Sequence, residues 1–162
     1  MHYLLPLISL LLFSCGNTIY IVRHAEKEKP LAGMMIHEAN NPPLSDSGQL
    51  RAIQLRDELG NKNVKNIFST PFRRTVSTAE PLSVLLNTSI ERYSPHKDST
   101  DLFIEKLKRI RVGNVLVVGH SNTIDDLANK LCGATVVQGD LKETDYDNLY
   151  EIKRKGDKYN FK

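Results

Sequence analysis

The sequence predicts an α/β fold: a mostly parallel central sheet with helices on both of its faces. Three observations carry that expectation. Short runs rich in β-branched and apolar residues recur at Thr18–Val22, Val64–Ser69 and Asn114–Gly119. Between them lie helical patterns of about three turns, the alternation that parallel strands need for their crossovers. The last run, N-V-L-V-V-G, is apolar throughout, as a strand covered on both sides must be.

Taken in order, Thr18–Val22 is the first strand. Leu31–Pro43 mixes Met34, Met35, Ile36 and His37 with Asn40, Asn41, Pro42 and Pro43 and reads as an irregular lid. Ser45 or Asp46 can cap a helix running to about Leu59, with Ala52, Leu55 and Leu59 as its apolar stripe and Gly60-Asn61 as its stop. After the Val64–Ser69 strand a helix is expected from about Arg73 to Leu86, then a short strand at Ser89–Tyr93. Thr100–Ile110 carries Phe103, Leu107 and Ile110 on one helical face. Ser121–Leu131 does the same with Ile124, Leu127, Ala128 and Leu131, and Gly133 ends it. Leu149–Lys153 and Lys158–Phe161 flank Gly156-Asp157 as a terminal strand pair.

Composition narrows the function. The chain has 162 residues, 40% hydrophobic and 25% charged, which excludes a disordered or collagen-like polymer. Its length suits one domain able to bury a core without disulfides. The net charge of +3 is small, and Lys and Arg are interspersed with Asp and Glu, so nothing argues for nucleic acid. Two cysteines, Cys15 and Cys132, make neither a metal cluster nor a redox pair, and Cys132 reads as an inert core thiol.

The first residues are expected to lie outside the domain. Tyr3–Phe13 is almost uninterrupted apolar sequence but too short for a bilayer span, which needs ~20 residues. It reads as a secretory signal over residues 1–14, although its start offers only His2 and no Lys or Arg. L-F-S-C at Leu12–Cys15 resembles a bacterial lipobox. Cys15 would then carry lipid, residues 15–17 would be a tether, and 18–162 the domain. The location implied is the cell envelope with a membrane anchor, the alternative being cytoplasmic.

Two histidines are singled out by position. Arg23-His24 directly follows the first strand and His120 directly follows Asn114–Gly119, so both should reach the crevice at the carboxyl ends of the strands. Arg74, after the Thr70-Pro71 turn, arrives at the same edge. The following helix would aim its N-terminus there, with Ser121 and Asn122 as caps or anion contacts.

R-H-A-E-K (Arg23–Lys27), S-T-P-F-R-R-T-V-S-T-A-E (Ser69–Glu80) and V-V-G-H-S-N-T (Val117–Thr123) resemble, in order, the three signatures of the histidine phosphatase superfamily, which includes the phosphoglycerate mutases. The resemblance implies a three-layer α/β/α domain of the phosphoglycerate mutase type. It implies His24 as the nucleophile that becomes phosphohistidine, Arg23 and Arg74 as phosphate-binding arginines, and His120 as the second pocket histidine. Arg74 rather than Arg73 matches the pattern of arginine, Ala or Thr, then Thr, here Arg74, Thr75 and Thr78.

Arginine forks and imidazoles can neutralise a transferring phosphoryl group, so no metal or cofactor is expected. The leaving-group acid stays open between Asp98 and Glu91, with Glu26 a third candidate. The activity implied is hydrolysis of a small phosphomonoester. The alternatives are a mutase, a phosphohistidine-protein phosphatase or an inactive phosphate-binding protein of the envelope. The short chain, with little to enclose a bisphosphate, disfavours the mutase.

Overall fold

The structure, a computed structural model, describes residues 16–30, 32–33 and 35–162. In chain order its elements are strand β1 (Thr18–Arg23), helices α1 (Ile36–Asn40) and α2 (Asp46–Leu59), strand β2 (Val64–Ser69), helix α3 (Arg73–Leu86) and strand β3 (Ile90–Arg92). Helix α4 (Lys97–Arg109), strand β4 (Asn114–Gly119), helix α5 (Ile124–Cys132) and strands β5 (Leu149–Lys155) and β6 (Lys158–Phe161) follow.

The six strands form one sheet in the order β3-β2-β4-β1-β5-β6. The first four pair in parallel, and the terminal hairpin adds β5 antiparallel to β1 and β6 antiparallel to β5. This is a three-layer α/β/α fold with a mixed, mostly parallel sheet.

The period-2 alternation of the strands sorts the core into two layers. Ile19, Ile21, Phe68, Val115 and Val117 face Phe103, Ile104 and Leu107 of α4 and Leu127, Ala128 and Leu131 of α5. Tyr20, Val22, Ile67, Leu116 and Val118 face Leu55 and Leu59 of α2 and Ala79 and Leu82 of α3. Both faces of β1 and β4 are therefore covered, which is why these strands have no polar phase.

Several boundaries differ from expectation. The Leu31–Pro43 lid contains α1, and its base is clasped by the Lys27–Leu44 bridge and by Glu28 N–H donating to Pro43 O (3.0 Å). Helix α4 starts at Lys97, not Thr100, because its first turn (Lys97, Asp98, Ser99) is polar and adds nothing to the apolar stripe. Helix α5 starts at Ile124, not Ser121. Residues 121–123 instead turn around the His120 carbonyl, which accepts from Thr123 N (3.0 Å) and Ile124 N (3.2 Å).

Ser45 caps α2 as expected, accepting from Gly48 N (3.2 Å). Gly60 remains right-handed, however, and the left-handed residue of that turn is Asn63. Gly48 is required for close approach: a Cβ there would lie 2.1 Å from the Glu26 carbonyl oxygen. The signal segment 1–14 and Cys15 lie outside the described residues.

Candidate active site

Strand pairing alone brings the two histidines together. Arg23 and Gly119 are register partners in the β1–β4 ladder, so the next residue on each strand leaves the sheet beside the other. His24 N–H donates to Gly119 O (2.9 Å), and the two imidazole rings lie edge to face with centroids 5.5 Å apart. Both residues are buried. They line a cavity of about 350 Å³ together with Arg23, Arg74, Lys27, Phe72 and Glu143.

The hydrogen bonds fix both tautomers. His24 Nδ1 lies 2.7 Å from Ala25 O, and a carbonyl can only accept, so Nδ1 carries the proton and Nε2 keeps its lone pair. His120 Nδ1 lies 3.4 Å from Arg74 Nη2, which can only donate, so the His120 proton sits on Nε2 and is given to Thr70 Oγ1 (3.0 Å). Burial, reinforced by the charges of Arg74 and Arg23, pushes His24 down to about 3 and His120 to about 4. In the His24 ring these effects outweigh the Ala25 bond, which favours protonation. Both rings are neutral at pH 7.

Arg74 enters from the first turn of α3. Its guanidinium stacks on Phe72 (4.6 Å) and donates to Asn40 O (3.4 Å), while Asn41 Oδ1 accepts from Arg73 N (2.8 Å). The end of the lid thus caps the start of α3. Burial and the neighbouring Arg23 charge lower the Arg74 pKa.

Two buried threonines anchor the helix. Thr78 Oγ1 accepts from Ala25 N (2.9 Å) and donates to Arg74 O (2.7 Å). Thr75 Oγ1 bonds Thr70 Oγ1 (2.8 Å) and so supports the Thr70 contact to His120. Arg73 is exposed.

Arg23 is held by a segment to which the sequence reading assigned no element, the stretch 133–148 between α5 and β5. Its Nη1 donates to the carbonyls of Lys142 (2.8 Å), Glu143 (3.3 Å) and Asp145 (3.2 Å). Its Nη2 meets Glu143 Oε2 (2.9 Å) and Tyr146 Oη (3.4 Å), and its guanidinium stacks on the Tyr146 ring (4.1 Å). Glu143 also pairs with Lys27 (3.2 Å). The Nε groups of both Arg23 and Arg74 are buried with no hydrogen-bond partner among the described residues. Buried donors left unpaired are costly, and here two of them belong to cations lining one cavity, an arrangement that favours an anion.

None of the three candidate acids lines this cavity. Glu91 is exposed on β3 and paired with Lys106. Asp98 is exposed in the first turn of α4. Glu26 is bound by Arg51 through three contacts of 2.6–3.0 Å, which, despite some burial, lower its pKa. Ser121 and Asn122 do line the cavity, but from the turn before α5 and not as its caps. The carboxylate that reaches the cavity is Glu143. Only a pattern pairing a buried strand-end arginine with a distant acidic turn could have flagged it, and such a pattern has no fixed spacing.

The model of the histidine phosphatase superfamily (branch 1) matches residues 19–96, which include Arg23, His24 and Arg74. Residues 19–96 of this chain are thus similar to that superfamily. Among solved structures, the fold is similar to the protein histidine phosphatase SixA complexed with tungstate, at 19% identity and a TM-score of 0.69, over 90% of this chain and 94% of that one. A mycobacterial hydrolase matches at 14% identity and TM-score 0.68, over 90% and 89%. A mycobacterial glucosyl-3-phosphoglycerate phosphatase matches at 13% and 0.64, over 90% and 97%. No curated protein matches by sequence.

At the level of the superfamily the chemistry is a metal-independent phosphatase reaction on a phosphorylated molecule. The lipid-anchored envelope location expected from the N-terminal run is corrected. No helix among the described residues is long and apolar enough to cross a membrane, and the matched fold accounts for the described chain without an anchoring element.

Proposed function

We propose that the protein is a phosphohydrolase that works through a phosphohistidine on His24 and prefers a phosphoramidate, the phosphohistidine of a protein, over an alkyl phosphomonoester. The observation carrying this reading is the juxtaposition of an unprotonated His24 Nε2 with two arginines whose buried Nε donors lack partners. His24 Nε2 attacks phosphorus as the bond from phosphorus to the leaving nitrogen breaks; the substrate reacts in the form protonated on its other ring nitrogen, so the leaving group departs as a neutral imidazole. Water then attacks the phosphoryl group on His24. Inorganic phosphate leaves, and the ring returns to its neutral form with Nδ1–H still donating to the Ala25 carbonyl.

Arg23 and Arg74 stabilise charge on the equatorial oxygens. An arriving dianion offsets the arginine charges that depress His120, so His120 can become a donor to it.

The preference for phosphoramidates follows from the acids. Glu26, Glu91 and Asp98 lie off the cavity, and Glu143 is ionised, so no carboxylic acid stands ready to protonate an alkoxide. SixA, to which the fold is similar, is named a protein histidine phosphatase, and its structure holds tungstate, a tetrahedral oxyanion like phosphate. The second reading is hydrolysis of small phosphomonoesters with good leaving groups, which depart without a proton donor. A comparison of a phosphohistidine peptide, an aryl phosphate and 3-phosphoglycerate tests both, alongside acid-labile labelling of the protein. The peptide and label are expected to be positive. An unlabelled His24 during turnover would overturn the covalent route, and faster turnover of 3-phosphoglycerate would overturn the preference.

A further inference from the structure

The geometry points to Glu143 as a displaceable internal anion that sits on Arg23 and sets how tightly the cavity holds a phosphoryl group. This inference rests on the phosphoryl-binding reading above.

Three observations support it. First, Nη1 of Arg23 is committed to three backbone carbonyls, so the Nε–Nη2 edge is what is left for a ligand, and Glu143 Oε2 occupies its Nη2 at 2.9 Å. Second, Glu143 lines the same cavity as His24, Arg74 and His120, and its other oxygen meets Lys27 at 3.2 Å. The carboxylate therefore takes two cations that an incoming phosphoryl oxygen would use. Third, nothing packs it in place: the Glu143 side chain is 68% exposed while that of Arg23 is 2% exposed. Ion pairs with one exposed partner are weak and exchange with solvent or with a better anion.

Burial would raise the Glu143 pKa, but Lys27 and Arg23 outweigh it and hold the group below the usual carboxylate value. It meets an incoming anion as a like charge, so a phosphoryl dianion must displace it or bear the repulsion. A bidentate, doubly charged group can do so where a singly charged carboxylate gains little. Glu143 would thus weaken the hold on inorganic phosphate and on carboxylates.

The test is inhibition and direct binding of inorganic phosphate to the full chain, with Glu143→Gln and Glu143→Ala compared with wild type and Arg74→Ala. Gln keeps the shape and one acceptor but removes the charge. Phosphate is expected to bind both Glu143 variants about three- to tenfold tighter, with KM for an aryl phosphate falling in parallel while kcat does not rise. If wild type binds phosphate, Arg74→Ala loses it, and the Glu143 variants bind no tighter or more weakly, Glu143 is a support for Arg23 and this inference fails alone. If no form binds phosphate, the phosphoryl reading fails and takes this inference with it.

Discussion

The cavity's two arginines reach it from different kinds of structure. Arg74 sits in the first turn of a helix, half-buried, with one arm on the lid and one on His120. Arg23 ends a central strand, buried, and four of its five hydrogen-bond contacts go to backbone carbonyls or a carboxylate of the stretch 133–148. The same guanidinium chemistry is thus mostly ligand-facing on one wall and partly structural on the other. A shared motif role does not imply a shared energetic role, and the consequences of removing each residue should differ in kind.

The largest effect is common to both walls. His24→Ala removes the proposed nucleophile and should lower turnover of a phosphohistidine peptide by on the order of 10⁴-fold or more, read by phosphate release. Arg74→Ala comes next. It should lower kcat/KM by roughly 10²- to 10³-fold with little change in thermal midpoint, since its contacts in the free protein are long. Arg23→Ala should match that kinetic loss and also destabilise the fold by about 1–3 kcal/mol in denaturant titration, because three carbonyls lose their donor. Equal stability of the two arginine variants would break the comparison.

Acidity sharpens it. His24 and His120 lie at about 3 and about 4 in the folded protein, below the free imidazole value of 6.5. Between those values the unfolded chain binds more protons than the folded one, so stability rises with pH from about 3 to about 6.5 and then levels. Unfolding at pH 5 should cost about 3–4 kcal/mol less than at pH 7, and His24→Gln with His120→Gln should remove most of that difference. The smallest effect expected is that of Glu91→Gln and Asp98→Asn, each leaving kcat within about twofold, since neither carboxylate lines the cavity. A tenfold loss in either would restore an acid role.

What the sequence made legible is what strands dictate. Thr18–Val22 and Asn114–Gly119 are largely apolar, so their central place in the sheet was readable, and with it the arrival of His24 and His120 at one edge; that the two strands are direct neighbours came from the structure. Arg74 followed from its place after β2. The Arg23 wall was not legible, because Glu143 and Tyr146 come from a stretch with no periodicity, more than a hundred residues from the arginine they touch. The acid candidates misled for a related reason: nearness in sequence to β3 or to His24 does not set which way a surface carboxylate turns. Glu26, two residues from His24, turns outward to Arg51.

Thr78 has the widest reach of these contacts. One hydroxyl ties the backbone just after His24 to the backbone of Arg74. The strand exit and the helix entrance are stapled as a single jaw, so widening of this pocket would have to come from the facing stretch 133–148, whose hold is on the Arg23 guanidinium.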